Sequence, residues 1–104
     1  TMYKQLQEVN FNAAYELCHA LHHPLRLGII RLLEQNESLT VTQIYFKLRI
    51  SQSVASQQLS ILRKSRLVVS RREGKQMIYT LNHELLQQVL LGIQSLTSIK
   101  ITKP

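Results

Sequence analysis

Near residue 66 the apolar residues of this chain change from a helical to a strand-like spacing. Up to that point they recur three and four positions apart, which is the spacing of side chains on one face of a helix. Beyond it, two runs rich in β-branched and aromatic residues flank Gly74, and a glycine there permits the positive φ that a tight hairpin requires. The predicted helices cover residues 4–21, 25–36, 41–48 and 52–64, the predicted strands cover residues 67–72 and 76–81, and a last helix follows Asn82, which can cap it.

Residues at the predicted helix ends agree with this division. Pro24 suits the first turn of a helix, where its missing N–H has no bond to lose. Thr40 followed by Gln43 resembles a capping box, and Ser51 is a good N-cap for the fourth helix. Residues 38–40 are long enough only for a short isolated strand. The order helix, helix, short strand, helix, tight turn, helix, hairpin, helix predicts a mostly α fold with a small β-hairpin, a single winged helix-turn-helix domain.

Positive charge is concentrated between the third predicted helix and the hairpin. The chain of 104 residues carries 13 Lys and Arg against 6 Asp and Glu, a formal net charge of +7. All of that excess lies in residues 47–75, where eight basic residues are opposed only by Glu73. A solvated surface normally intersperses both signs, so this block predicts a polyanionic partner. We favour double-stranded nucleic acid, with an acidic protein or lipid headgroups as alternatives.

The fourth predicted helix has an exposed side made of hydroxyls and amides, opposite a buried side of Ala55, Leu59 and Leu62. No acidic residue is present to be repelled by phosphate, and Gln can bond an adenine edge bidentately in the major groove while Ser bonds either bases or phosphates. The residues predicted to contact base edges are Gln52, Ser53, Ser56 and Gln57. The residues predicted to contact the DNA backbone are Ser51, Ser60, Arg63, Lys47, Arg49, Lys64, Arg71, Arg72 and Lys75. The last three belong to the hairpin, whose alternative role is that of an edge protected by charge against aggregation.

The two terminal helices carry more apolar surface than a small helix-turn-helix core can bury. Pairing them across a two-fold axis would hide the surplus and place two recognition helices on successive major-groove turns. The residues predicted at this dimer interface are Leu6, Ala13, Leu17, Leu86, Val89, Leu90 and Ile93. On this division residues 1–21 and 82–99 dimerise, residues 41–64 form the helix-turn-helix and residues 67–81 form the wing. The alternative is that both terminal helices pack on their own domain.

Other function classes find little support in the residues. The chain has no aspartate, no Gly-rich phosphate loop and no nucleophile elbow, so we expect neither an enzyme nor a cofactor. A winged helix that binds protein or RNA in a larger assembly is the stronger alternative, but the aromatic residues suited to that role, Tyr45 and Phe46, fall on the preceding helix. Residues 85–99 are uncharged but interrupted by glutamines and serines, and no signal pattern is present, so we expect no membrane association and a cytoplasmic location.

Three segments resemble a known family. Residues 21–33, LHHPLRLGIIRLL, resemble the ALxHPxRLxIL opening of the ArsR-type winged-helix repressors. Residues 51–62, SQSVASQQLSIL, are similar to that family's SQSxVSxHLxxL recognition helix, and residues 67–79 are similar to its GLVxxRREGRxxxY wing. The resemblance implies a homodimeric transcriptional repressor, with its first and last helices at the interface and an effector that loosens DNA binding.

Many members of that family sense metal ions, but this chain departs from their ligand patterns. Its third helix has no cysteine, and its last helix offers His83 followed by glutamines, whose neutral amides are poor ligands for soft or borderline ions. The remaining candidates are Cys18, His19, His22 and His23. Clustered Cys and His bind zinc or copper, so a metal- or thiol-responsive sensor is an alternative. We expect Cys18 to be buried in an apolar stripe and His23 to have a structural role. We therefore predict no metal. A small-molecule effector is possible, but the sequence does not identify it or its binding residues.

Overall fold

The structure, a computed structural model, describes the backbone of residues 2–102 and the side chains of residues 12–95. Its elements are α1 (Met2–Leu21), α2 (Pro24–Gln35), β1 (Leu39–Thr40), α3 (Val41–Leu48), α4 (Gln52–Lys64), β2 (Val68–Glu73), β3 (Gln76–Leu81) and α5 (His83–Thr102). This order is the predicted one. Helices α3 and α4 form the helix-turn-helix, and the β2–β3 hairpin forms the wing, so the fold is a winged helix-turn-helix.

Side-chain caps fix the starts of α3 and α4. The hydroxyl of Thr40 accepts the Gln43 N–H at 3.1 Å, and the Gln43 side chain accepts the Thr40 N–H at 2.9 Å in return. The hydroxyl of Ser51 accepts the Val54 N–H at 3.2 Å. Each cap satisfies an N–H group that the helix itself cannot, and removing one typically costs about 1 kcal/mol. Both predicted caps are confirmed, so the helix-turn-helix begins where the sequence places it.

Helices α2 and α5 are capped in the same manner. Pro24 is the first residue of α2, and Nδ1 of the preceding His23 accepts the Leu25 N–H at 3.0 Å. The family resemblance implies a structural role for His23, and capping α2 is such a role. The Oδ1 atom of Asn82 accepts the Leu85 N–H at 3.1 Å, which confirms Asn82 as the cap of α5.

The connection between α3 and α4 turns on Arg49. This residue ends α3 in the left-handed region, at φ 57° and ψ 44°. Its N–H donates to the Phe46 carbonyl at 3.2 Å, and the Ile50 N–H donates to the Tyr45 carbonyl at 3.1 Å. For a residue with a side chain, that conformation costs about 1–2 kcal/mol. The backbone of the turn is therefore strained at Arg49, and the two hydrogen bonds to the last carbonyls of α3 stabilise it.

The three strands form an antiparallel sheet in the order β1-β3-β2. Glu73 pairs with Gln76, which leaves Gly74 and Lys75 as the turn between the long strands. Gly74 has a φ of 62°, as its position in the hairpin predicts. The short strand β1 pairs with the other edge of β3 and anchors the hairpin to the helical part of the chain.

The core lies where the helices meet the sheet. Its most buried side chains are Ile29, Leu33, Ile44, Leu59, Leu62, Leu67 and Val68. Leu86, which the sequence predicts at a dimer interface, also belongs to this core and is only 7% exposed. It packs within its own protomer, where burial of a leucine contributes about 1.5–3 kcal/mol to folding.

The expectation that Cys18 is buried is also wrong, because its side chain is exposed. Helix α1 packs against the core through Leu17, Ala20 and Leu21. Those positions follow the spacing of one helix face, and Cys18 lies a step of about 100° away from Leu17 around the helix.

Candidate nucleic-acid interface

Helix α4 has one buried side and one exposed side. Ala55, Leu59 and Leu62 are fully buried, as predicted. The four residues predicted to contact base edges are all exposed: Gln52, Ser53, Ser56 and Gln57. The exposed side therefore presents amide and hydroxyl groups without any carboxylate, which is the chemistry that a major groove accepts.

The start of α4 adds backbone donors to this surface. Ser51 uses its hydroxyl oxygen as the helix cap, and that oxygen lies 3.3 Å from the Ser53 hydroxyl oxygen. Its O–H can still donate to an anion, because capping uses only the acceptor capacity of the oxygen. The N–H groups at a helix N-terminus and the positive end of the helix dipole favour an anion at the same place.

The wing carries exposed cations on both of its faces. Arg71 and Arg72 are consecutive strand residues, so their side chains leave the hairpin on opposite sides. Arg72 shares its face with the buried Val68, whereas Arg71 shares its face with Glu73. The Arg71 Nε donates to the Glu73 carboxylate at 2.9 Å, and both side chains are more than half exposed. The two arginines therefore do not act as one group, and only Arg71 is paired with a carboxylate in the described part of the chain.

The remaining predicted backbone contacts lie at the turn between α3 and α4, in the second half of α4 and at the hairpin turn. All of them are exposed, namely Lys47, Arg49, Ser60, Arg63, Lys64 and the wing residue Lys75. Arg63 and Lys64 are in the last turn of α4. Cations there also interact favourably with the helix dipole, so these two have a structural role besides any contact with phosphate.

The residues that hold the inner side of α4 in place are not among those predicted from the sequence. The buried Arg26 of α2 donates through Nη1 to the Gln58 side-chain oxygen at 2.7 Å. Its other nitrogens donate to the backbone carbonyls of His19 and Ala20, each at 2.8 Å. Arginine is rarely buried, so composition gives no hint of this arrangement. The available sign was position, because Arg26 stands three and four residues before two buried isoleucines of the same helix.

The terminal helices leave an apolar surface on the described residues. Leu90 is 49% exposed and lies with Leu27 in a cleft of about 270 Å³ between α2 and α5. Among the predicted interface residues, Ala13, Leu90 and Ile93 are exposed, Leu17 and Val89 are half-buried, and Leu6 lies outside the residues whose side chains are described. No helix in the described part of the chain has the length and hydropathy needed to cross a membrane.

The candidate metal ligands do not assemble within one protomer. Cys18, His19 and His22 are exposed, and His23 is the cap of α2. The His19 ring stacks on Tyr15, with ring centroids 5.9 Å apart. Over the residues with described side chains, no three or more His, Cys, Asp or Glu residues come close enough together to hold a metal ion.

Comparison with known proteins agrees with this architecture. The model of the family described as "Bacterial regulatory protein, arsR family" matches residues 23–70. An HTH-type transcriptional regulator of Methanocaldococcus jannaschii is 30% identical over 86 residues, which are 83% of this chain and 97% of that protein. The transcriptional repressor PagR of Bacillus anthracis is 32% identical, over 72% of this chain and 75% of its own length. The transcriptional activator HlyU of Vibrio cholerae is 39% identical, over 74% of this chain and 72% of its own length.

Solved structures show the same fold. HlyU from Vibrio cholerae superposes with a TM-score of 0.65 at 35% identity, covering 79% of this chain and 96% of that one. A fragment of Mb0332 from Mycobacterium bovis, described as a homodimeric winged helix-turn-helix DNA-binding domain, superposes with a TM-score of 0.75 at 24% identity, covering 92% and 88%. The chain therefore belongs to the ArsR family of bacterial regulatory proteins.

Proposed function

We propose that this protein is a sequence-specific DNA-binding transcriptional repressor that acts as a homodimer on an inverted-repeat operator. The observation that carries the proposal is the exposed side of α4, which has no carboxylate and belongs to the segment 47–75, where all of the excess positive charge lies. The activity is one of binding and not of catalysis, and we place it in the cytoplasm, as expected of a DNA-binding regulator.

Base recognition falls to four residues of α4. Gln52 and Gln57 have the amide groups that bond adenine edges, and Ser53 and Ser56 bond either base edges or phosphates. All four are exposed, and the buried side of α4 fixes which way they point. We propose that α4 lies in the major groove with these residues toward the bases.

Backbone binding falls to the cations around α4 and in the wing. The proposed set consists of Lys47, Arg49, Ser51, Ser60, Arg63, Lys64, Arg71, Arg72 and Lys75. Binding of duplex DNA draws much of its free energy from counterions that such contacts release. The wing is thin enough to follow the backbone or to enter the minor groove beside the site of α4.

Dimerisation through the terminal helices would supply the symmetry of the operator. Ala13, Leu17, Val89, Leu90 and Ile93 form the proposed interface, and the largely buried Leu86 lines the same cleft as Leu90 and Ile93. The homodimeric Mycobacterium bovis domain has the same fold. A two-fold pair of this kind places its two recognition helices about 34 Å apart, on successive turns of the major groove.

Selection of bound fragments from a random duplex pool tests this function. We expect the pool to converge on an inverted repeat whose half-sites are centred about 10 base pairs apart. A variant with Gln52→Ala and Gln57→Ala is the matched control, because it keeps the cations and removes two side chains proposed to bind bases. Failure of the parent protein to enrich any sequence would contradict the proposal, and enrichment by the control of the same repeat would remove these glutamines from base recognition.

The direction of regulation is tested separately. A reporter gene placed behind the selected repeat should be expressed less when the protein is present, as the PagR relative and the family resemblance suggest. Increased expression would instead match the HlyU relative, which is named an activator.

A further inference from the structure

A buried arginine joins the recognition helix to the end of α1. Arg26 is in the first turn of α2 and is 5% exposed. Its Nε and Nη2 donate to the carbonyls of Ala20 and His19, and its Nη1 donates to the Gln58 side-chain oxygen. One guanidinium group thus links three helices, with donor–acceptor distances of 2.7–2.8 Å.

Neutral oxygens compensate the charge of Arg26. Where side chains are described, the ion pair between Arg71 and Glu73 is the only one, so no carboxylate neutralises this group. The two carbonyls lie in the last turn of α1, where the helix dipole is negative and helical bonding ends. A buried charge is costly even when it is hydrogen-bonded, and an apolar side chain would fill such a space at lower cost. What the planar guanidinium adds is direction, because its donors have a fixed geometry.

The apolar contacts of α4 decide which side of the helix faces the core, but they restrain small rotations less sharply than directional hydrogen bonds do. Ala55, Leu59 and Leu62 hold the helix against the core, and hydrophobic contacts of this kind are non-directional. With side chains, a helix has a radius of about 5–6 Å, so a rotation of about 10° displaces an exposed tip by about 1 Å. Hydrogen-bond lengths vary by only about 0.5 Å. A rotation of that size would break base contacts made by Gln57, the neighbour of Gln58.

We propose that Arg26 and Gln58 are positioning residues that fix the rotation of α4 relative to α1 and thereby set the DNA sequence specificity. Because α1 belongs to the proposed dimer surface, the same link also sets the relation between the two recognition helices of a dimer. This inference rests on the proposed function, since it concerns how α4 is aimed at the bases. It predicts that the link matters for choosing among DNA sequences and little for holding duplex DNA in general.

Replacement of Gln58 tests the inference on the whole chain. Gln58→Ala removes the acceptor, and because Gln58 is only half-buried, water can reach the Nη1 donor that is left. Gln58→Glu keeps an acceptor and strengthens its bond to the guanidinium. Gln35→Ala, at the exposed end of α2, is the matched control. Dissociation constants are measured on the selected repeat and on a random duplex of equal length, at a temperature well below every melting midpoint.

We expect Gln58→Ala to weaken binding to the repeat about tenfold while affinity for the random duplex stays within about twofold. Gln58→Glu should bind the repeat within about threefold of the parent, and Gln35→Ala should match the parent on both duplexes. An unchanged ratio of the two affinities in Gln58→Ala would overturn the inference. This holds whether both affinities stay at the parent's values or both fall by the same factor, as mere destabilisation would cause. If the parent protein binds the two duplexes equally well, the proposed function itself fails. The parent protein alone decides this, whereas the Gln58 variants decide the inference.

A second variant measures the link from its other end. Arg26→Lys keeps the charge but removes the planar guanidinium, which donates to both α1 and α4. In the double variant Arg26→Lys with Gln58→Ala, we expect the reduction in the specificity ratio to be smaller than the product of the two single reductions, because both changes break the same link. Independent, multiplicative reductions would show that the two residues act separately.

Discussion

Replacing Arg49 by glycine should raise stability and weaken DNA binding at the same time. Arg49 has a φ of 57° and ψ of 44°, a left-handed conformation that is unfavourable by about 1–2 kcal/mol for a residue with a side chain. Glycine removes that strain but makes the unfolded chain more flexible, at a cost of about 0.4–1 kcal/mol. The net gain should be about 0.5–1 kcal/mol in the free energy of unfolding, which raises the melting midpoint by about 2–8 °C for a domain of this size.

The loss of charge acts on DNA binding. Arg49 is exposed at the turn between α3 and α4, where we propose a phosphate contact. Each phosphate contact removed should lower the slope of log affinity against log salt concentration by about 0.9 for every bound protomer. Calorimetry gives the melting midpoint, and binding to a fluorescent duplex over a range of salt concentrations gives the slope.

Two further substitutions at Arg49 separate strain from charge. Arg49→Lys keeps both, so it should change neither the stability nor the slope by much. Arg49→Gln keeps the strained conformation but removes the charge, so it should lower the slope without raising the melting midpoint. A glycine variant that melts below the parent would refute the strain argument, and an unchanged slope in the Gly and Gln variants would remove Arg49 from the backbone-binding set.

Three other variants test the wing, base recognition by α4 and the dimer surface. Arg72→Gln together with Lys75→Gln should weaken binding to all duplexes and reduce the salt slope by about 0.9 for each phosphate that is no longer neutralised; an unchanged slope would count against the wing. Gln57→Ala should cost about 1–3 kcal/mol of preference for the selected repeat in competition binding, with affinity for random DNA preserved, and equal reductions on both would reassign Gln57 to the backbone. Leu90→Glu should shift sedimentation equilibrium toward the monomer, because it places a carboxylate in the apolar surface of α5. The control Gln88→Glu should not shift this equilibrium. A Leu90→Glu protein that stays dimeric would contradict the proposed interface.

Local rules were sufficient to predict most of the fold. The caps at Thr40, Ser51 and Asn82 satisfy the backbone groups of their own helix ends, so their effect depends on residues only three positions away. Gly74 likewise marks a turn whose conformation is decided within the hairpin. The exposed residues of α4 could be predicted from helical periodicity. Once the apolar side of that helix is buried, the residues on its opposite side must be exposed.

Features that depend on contacts distant in sequence escaped prediction. The bond from Arg26 to Gln58 spans 32 positions, and nothing local to either residue requires it. Cys18 was misplaced because α1 has a broad apolar surface, and periodicity alone does not say which part of that surface the core covers. The opposite orientation of the two wing arginines is implied by strand alternation, but charge counting treats neighbouring cations as one group.

Chemical protection of the selected repeat tests most directly whether α4 enters the major groove. Methylation at guanine N7, which lies in that groove, should be blocked by the protein in two short regions about 10 base pairs apart, with minor-groove protection limited to the places that the wings reach. Gln58→Ala should weaken the protection in both regions, even at a protein concentration high enough to keep the DNA bound. A bound complex in which every guanine N7 remains open to methylation would contradict a recognition helix placed among the bases.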